Sequence, residues 1–77
     1  MVFRNILIMK LGKYQHYKDN YYEVIGEAKH SETLDNVVVY KELYGNGRLW
    51  VRPSKMFFEE VDFKGQKVPR FKYIEEN

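Results

Sequence analysis

Turn-forming residues interrupt this chain at short, fairly even intervals, in "KDNY", "SETLDN", "YGNGR", "RPSK" and "FKGQK". Each group contains residues that accept positive φ, hold φ fixed, or bond their own backbone, so each bends the chain. The runs between them are short and rich in Val, Ile, Tyr, Phe and Trp, residues that suit a pleated, half-buried surface. This spacing predicts an all-β, mainly antiparallel fold: a small barrel or roll of five to six strands with one short helical turn. A chain of 77 residues makes one domain with a small core. Its 17% aromatic content supplies the large burial per residue that such a core requires.

Strands are expected over residues 13–18, 21–30, 37–44 and 49–52. Asp19 and Asn20 turn the chain after the first, and the two glycines of "GNG" mark a hairpin after the third. Pro53 stops the fourth strand, and Ser54 is placed to cap a helical turn through Phe57. A last hairpin, over 58–63 and 68–74, turns at Gly65. Pro69 has no N–H, which assigns it to an edge or a strand start. The β-barrel domain is expected over 11–77, with 1–10 as an amino-terminal arm or extra strand.

Pairing the third and fourth strands with Tyr44 opposite Arg48 sets Tyr40 opposite Arg52 and Glu42 opposite Trp50. Pairing His30 with Val37 sets Val24 opposite Leu43. Side chains then sort by alternation into two faces. One carries Tyr22, Val24, Ala28, Val37, Val39, Leu43, Leu49 and Val51 and reads as the core face, with Gly26 allowing a sharp bend. The other carries Ile25, Glu27, Tyr40, Glu42, Tyr44, Trp50 and Arg52. A one-residue slip would exchange the two faces.

Charge narrows the function classes. The 13 basic and 11 acidic residues leave a net charge of +2 and alternate along the chain without a basic block. That is a weak footprint for nucleic acid, which stays as a minor alternative. The chain has no cysteine, so it has no disulfide and no thiolate metal site, and a cytoplasmic location is expected. No run approaches the ~18 apolar residues of a membrane helix, so no membrane association is expected. "MVFRNILIMK" has too short an apolar stretch for a secretory signal.

The stretches "YQHYKDNYYEVIGEAKHSET", "VVYKELYGNGRLWVRPSKMF" and "GQKVPRF" resemble a family of small, mostly bacterial, stand-alone domains of unknown function. The resemblance runs from about Gly12 to Ile74 and implies an SH3-like β-barrel. It implies no activity, ligand or catalytic residue. Asp19 stands where the family usually has Gly, and Lys29 where Arg is common.

Several groups of residues are candidates for a site. "HSETLDN" holds an imidazole, hydroxyls and carboxyl groups in one short segment. His30 and Ser31 are adjacent, so on a strand they point to opposite faces and make a poor nucleophile–base pair. The segment therefore reads as a polar hairpin, with His30 at the barrel mouth and Ser31 and Glu32 as tentative ligand contacts. A two-residue turn at Asp19–Asn20 would set His16 opposite Glu23, and that carboxylate would favour the charged imidazole. Two histidines without a short ligand spacing make no metal site, and no cofactor is expected. Tyr40, Tyr44, Trp50 and Arg52 share a face, and guanidinium beside aromatic rings is a recognition surface. Arg70 can join it, and "SKMFFEEV" reads as a plug for the barrel end.

The sequence thus reads as a small binding module that docks a protein segment or other ligand on Tyr40, Trp50 and Arg52, with His30, Ser31, Glu32 and Arg70 at the rim. It is expected to be a monomer or a weak homo-oligomer. The alternative class is a small enzyme or metabolite sensor built around His30.

Overall fold

The computed structural model describes residues 9–75. The expected arm over 1–10 lies mostly outside them; Met9 packs against the core and Lys10 has no regular structure. The elements follow in the order β1 (Gly12–His16), β2 (Tyr21–Lys29), β3 (Asn36–Glu42), β4 (Leu49–Pro53), α1 (Ser54–Phe57), β5 (Glu60–Phe63), β6 (Gln66–Pro69) and β7 (Phe71–Glu75). Five strands form one antiparallel sheet in the order β4-β3-β2-β1-β7, and β5 and β6 form a separate hairpin.

The described residues thus form seven strands, because the run expected over 68–74 breaks at Arg70. Pro69 ends β6, lacking the N–H that a longer ladder needs. The Arg70 amide bonds the Glu59 carbonyl at 3.0 Å and its carbonyl accepts the Tyr17 amide at 2.9 Å. From Phe71 onward the chain pairs with β1 instead. The helical turn falls where expected, but Pro53 occupies its N-cap position and no side chain caps it. Ser54 Oγ instead donates to Glu27 Oε2 at 3.2 Å.

The core is aromatic. Phe57, from α1, stacks face to face on Phe71, with centroids 4.1 Å apart. Tyr40 meets both edge-on at 5.3 and 5.4 Å, and Tyr14 meets Phe57 at 5.5 Å. Val24 and Val38 fill the space between strands and rings. Full burial of such a side chain stabilises the fold by roughly 1.5–3 kcal/mol, and each well-oriented ring pair adds about 0.5–1.5 kcal/mol. That is how a short chain without cross-links holds a sheet together.

On β3, on β4 and on β2 beyond Ile25 the faces are the reverse of those the alternation suggested, whereas Tyr22 and Val24 lie on the core side as expected. Val24 lies opposite Tyr40, and Gly26 lies opposite Val39, so Ile25 has no partner. This β-bulge inserts one residue into β2 and shifts the parity of everything before it. Tyr22 and Val24 therefore share the face of Val38, Tyr40 and Glu42, and that face is the core. Leu43, Leu49 and Val51, expected inside, are exposed, while Val37 alone of the outward Val and Leu residues is buried. The β3–β4 hairpin is also shifted, by two residues. Tyr40 pairs with Trp50, and Val38 pairs with Arg52. A shift of two preserves faces, so Tyr40, Trp50 and Arg52 stay together.

Candidate functional site

The core face is open near the β3–β4 end, and there its aromatic lining continues to the surface. Tyr40 stands in the middle of β3, buried against Phe57 and Phe71. Its cross-strand partner Trp50 is 46% exposed, so the indole forms the outer wall. Arg52 follows two residues along β4 on the same face and is half-buried. Tyr22 comes in from β2, and Tyr44 folds back from the β3–β4 loop, its hydroxyl 2.6 Å from that of Tyr22. The Leu43 amide, bonded to the Tyr21 carbonyl at 3.0 Å, holds the loop in that position. Together Tyr22, Tyr40, Tyr44, Trp50 and Arg52 line one cavity of about 160 Å³.

Polar groups lock this cavity from behind. The buried Glu42 accepts the Trp50 indole N–H through Oε2 at 2.7 Å and the Arg48 amide through Oε1 at 3.1 Å. Arg52 Nε donates to the Tyr40 hydroxyl at 3.4 Å, and its guanidinium lies 5.9 Å from the Phe71 ring centre. Among the described residues the ion pairs are Lys67–Asp62 and Arg70–Glu59, and Arg52 forms none with them. The Tyr22 phenol is held well above its ordinary pKa, first by burial, then by the Tyr44 hydroxyl and the nearby Tyr40 and Glu42. It is therefore a neutral hydrogen-bonding group throughout the physiological range.

His16 stands beside this cavity. Its ring meets Phe71 edge-on at 4.9 Å, and its Nδ1 accepts the Lys18 amide at 3.1 Å. It also lines a wider, mostly apolar hollow of about 450 Å³ formed with Tyr17, Phe63, Val68 and Lys72. Glu23 is not its partner, because Glu23 pairs with Lys13 and the His16 amide bonds the Asn20 carbonyl at 2.8 Å. The imidazole pKa is accordingly lowered, by burial first and then by Arg52, Arg70 and Lys18. This is the opposite sign to that expected from a neighbouring carboxylate.

The remaining candidates lie elsewhere. His30 is exposed at the end of β2, on the side away from the core. Its Nδ1 accepts the Glu32 and Thr33 amides at 3.1 and 3.3 Å, and its own amide bonds the Asp35 carbonyl. It closes a turn and does not stand at a barrel mouth. Ser31 and Glu32 are exposed in that turn. Arg70 is held by Glu59 Oε2 at 2.9 Å and by the Met56 carbonyl at 3.1 Å, outside the cavity lining. Sequence reasoning missed Tyr22 as a cavity wall and Glu42 as the anchor of Trp50. The signal for Tyr22 was masked by the bulge. The signal for Glu42 was present, since it was placed on the face of Trp50.

Among the described residues no group of three His, Asp or Glu side chains gathers as a metal site, and no helix is long and apolar enough to cross a membrane. No curated protein matches the chain. A crystal structure of a protein from Bordetella bronchiseptica matches it with 34% sequence identity and a TM-score of 0.82, covering 90% of this chain and 91% of that one. That protein is described as belonging to DUF1653. Residues 12–73, which include β1 to β6 and most of β7, match the family described as protein of unknown function (DUF1653). The chain belongs to the DUF1653 family.

Proposed function

We propose that the protein is a small binding module whose ligand seats against Tyr40, Trp50 and Arg52, with Tyr22 and Tyr44 completing the walls. The observation that carries this reading is the convergence of these five side chains on one cavity. The site is assembled before any ligand arrives, because Glu42 fixes the indole and the core fixes Tyr40. Preorganisation of that kind lowers the ordering cost of binding. A half-buried guanidinium that forms no ion pair among the described residues is poised for an anionic or π-rich group. The cavity volume of about 160 Å³ is below the roughly 300–1,000 Å³ usual for small-molecule sites. It suits one side chain or a small group better than a whole cofactor, which favours a protein segment as partner.

The reading of an enzyme or sensor around His30 draws no support from the geometry. Its Nδ1 is occupied by the Glu32 and Thr33 amides, and no side-chain acid or base among the described residues hydrogen-bonds it. The test is a thermal-shift screen of peptides, carboxylates and short oligonucleotides against wild type, Trp50→Ala and His30→Ala. A ligand at about 100 times its Kd stabilises the folded state by about 2.7 kcal/mol. Hits lost in Trp50→Ala and kept in His30→Ala support the module. Hits that ignore Trp50 and vanish in His30→Ala overturn it.

A further inference from the structure

We infer that the partner is an extended acidic peptide that adds to the sheet along the outer edge of β4, an inference that rests on the binding-module reading above. Among the described residues, strand β4 is the last of the five-stranded sheet and pairs with β3 alone. The Glu42 amide bonds the Arg48 carbonyl at 2.9 Å, which makes that pair a hydrogen-bonded one. By alternation along an antiparallel ladder, Trp50 and Arg52 also bond β3, whereas Leu49 and Val51 turn their N–H and C=O groups to the open edge. Pro53 has no N–H and ends the edge there. The edge therefore offers a short, defined row of backbone groups to an incoming strand.

The side chains on either side of this row fit the alternating side chains of such a strand. One face of β4 presents Trp50 and Arg52 at the aromatic cavity, which is large enough for one side chain. The other face presents Leu49 and Val51, 62% and 60% exposed, as a narrow apolar strip. An extended peptide would set every second side chain toward the cavity and the rest along the strip.

Charge selects the occupant. Lys41, Arg48 and Lys55 flank β4, which itself carries Arg52, and none of the four forms an ion pair among the described residues. Glu42, the carboxylate bonded to Trp50, is buried and engaged by the indole. A second copy pairing β4 to β4 would bring two such cationic sets together, and like charges facing across strands destabilise the pair. An acidic segment has the complementary sign, with one carboxylate placed to take the Arg52 guanidinium.

The test is selection of random decapeptides on the full chain, followed by titration of a synthetic hit. The expected hits carry Asp or Glu at alternate positions between β-branched residues. Binding should fall about tenfold or more in Arg52→Gln and in Trp50→Ala. An N-methyl scan of the peptide on the wild-type protein should show losses at every second amide, and Leu49 and Val51 amides should gain exchange protection. This scan needs no variant to fold. A hit that requires Trp50 and Arg52 but shows a flat N-methyl scan and unprotected Leu49 and Val51 overturns the edge inference and leaves the cavity reading standing. No hit that depends on Trp50 or Arg52 overturns both. Protection of Leu49 and Val51 in a peptide-free dimer overturns the inference in favour of a second copy, and selective binding of oligonucleotides overturns it in favour of nucleic acid.

Discussion

The indole N–H of Trp50 donates to Oε2 of Glu42 at 2.7 Å, joining the most exposed ring of the cavity to a buried carboxylate. A ring on an edge strand would otherwise be free to rotate into solvent. This bond holds it upright against Tyr40 and converts an exposed aromatic into a fixed wall.

Glu42→Ala should therefore lower unfolding stability by about 1.5–3 kcal/mol, the range for a hydrogen bond to a charged group. Denaturant titration gives the number, and Trp50 fluorescence reports the freed indole. A loss under about 0.5 kcal/mol, within the ordinary scatter of surface changes, would show that packing alone orients the ring.

Phe71→Ala should cost about 3–5 kcal/mol and can exceed what so small a domain can lose. Phe71 touches Phe57, Tyr40, Tyr22, His16 and the Arg52 guanidinium. Phe71→Leu, which keeps most of the volume, should retain the fold with a smaller loss. Equal losses in the two variants would mean that ring geometry, not filled space, carries the stability.

Protonation of His16 should destabilise the protein. Its folded pKa is depressed by burial and by Arg52, Arg70 and Lys18. The unfolded chain therefore takes up the proton first as pH falls. The His16 contribution is fully present above the unfolded value of 6.5 and is lost as pH falls through the lower folded value. His16→Gln should flatten that part of the stability profile, and the His16 ring resonances should titrate with a midpoint below 6.5. A midpoint above it would reverse the sign of the argument.

Two glycines should respond in opposite directions. Gly26 has ordinary negative φ, and an added Cβ there would meet nothing within 4 Å. Gly26→Ala should stabilise by about 0.4–1 kcal/mol, through the unfolded chain's reduced freedom. Gly65, at φ +81° in the β5–β6 turn, should be destabilised by the same change. Melting temperatures of the two variants decide this.

Most of the strand plan was legible in the turn chemistry. The turns at Asp19–Asn20, "GNG" and Gly65 fall between strands as expected, because those residues supply the required dihedrals. Asp19 even adopts φ +107°, a conformation that favours Gly. The clustering of Tyr40, Trp50 and Arg52 was legible too, since the hairpin register was off by two residues and an even error keeps faces together. Which face of β3 and β4 is the core was not legible, although Tyr22 and Val24 were placed inside correctly. Nothing about Ile25 as a residue type announces that it stands unpaired, and one unpaired residue sets Tyr22 and Val24 on the face of Val38 and Tyr40 instead of that of Val37 and Val39. The His30 turn misled because the same residue types serve catalysis and loop closure alike.

The unpaired Ile25 has a consequence for how this chain tolerates genetic change. Its side chain is 46% exposed, so many replacements should be harmless. Deleting it is a different event. Without it β2 would pair in unbroken register, and Tyr22 and Val24 would be carried to the solvent side of the sheet while their neighbours turned inward. Position 25 is thus free in its letter and fixed in its presence, a form of constraint that substitution scanning would miss and that a single-codon deletion would expose at once.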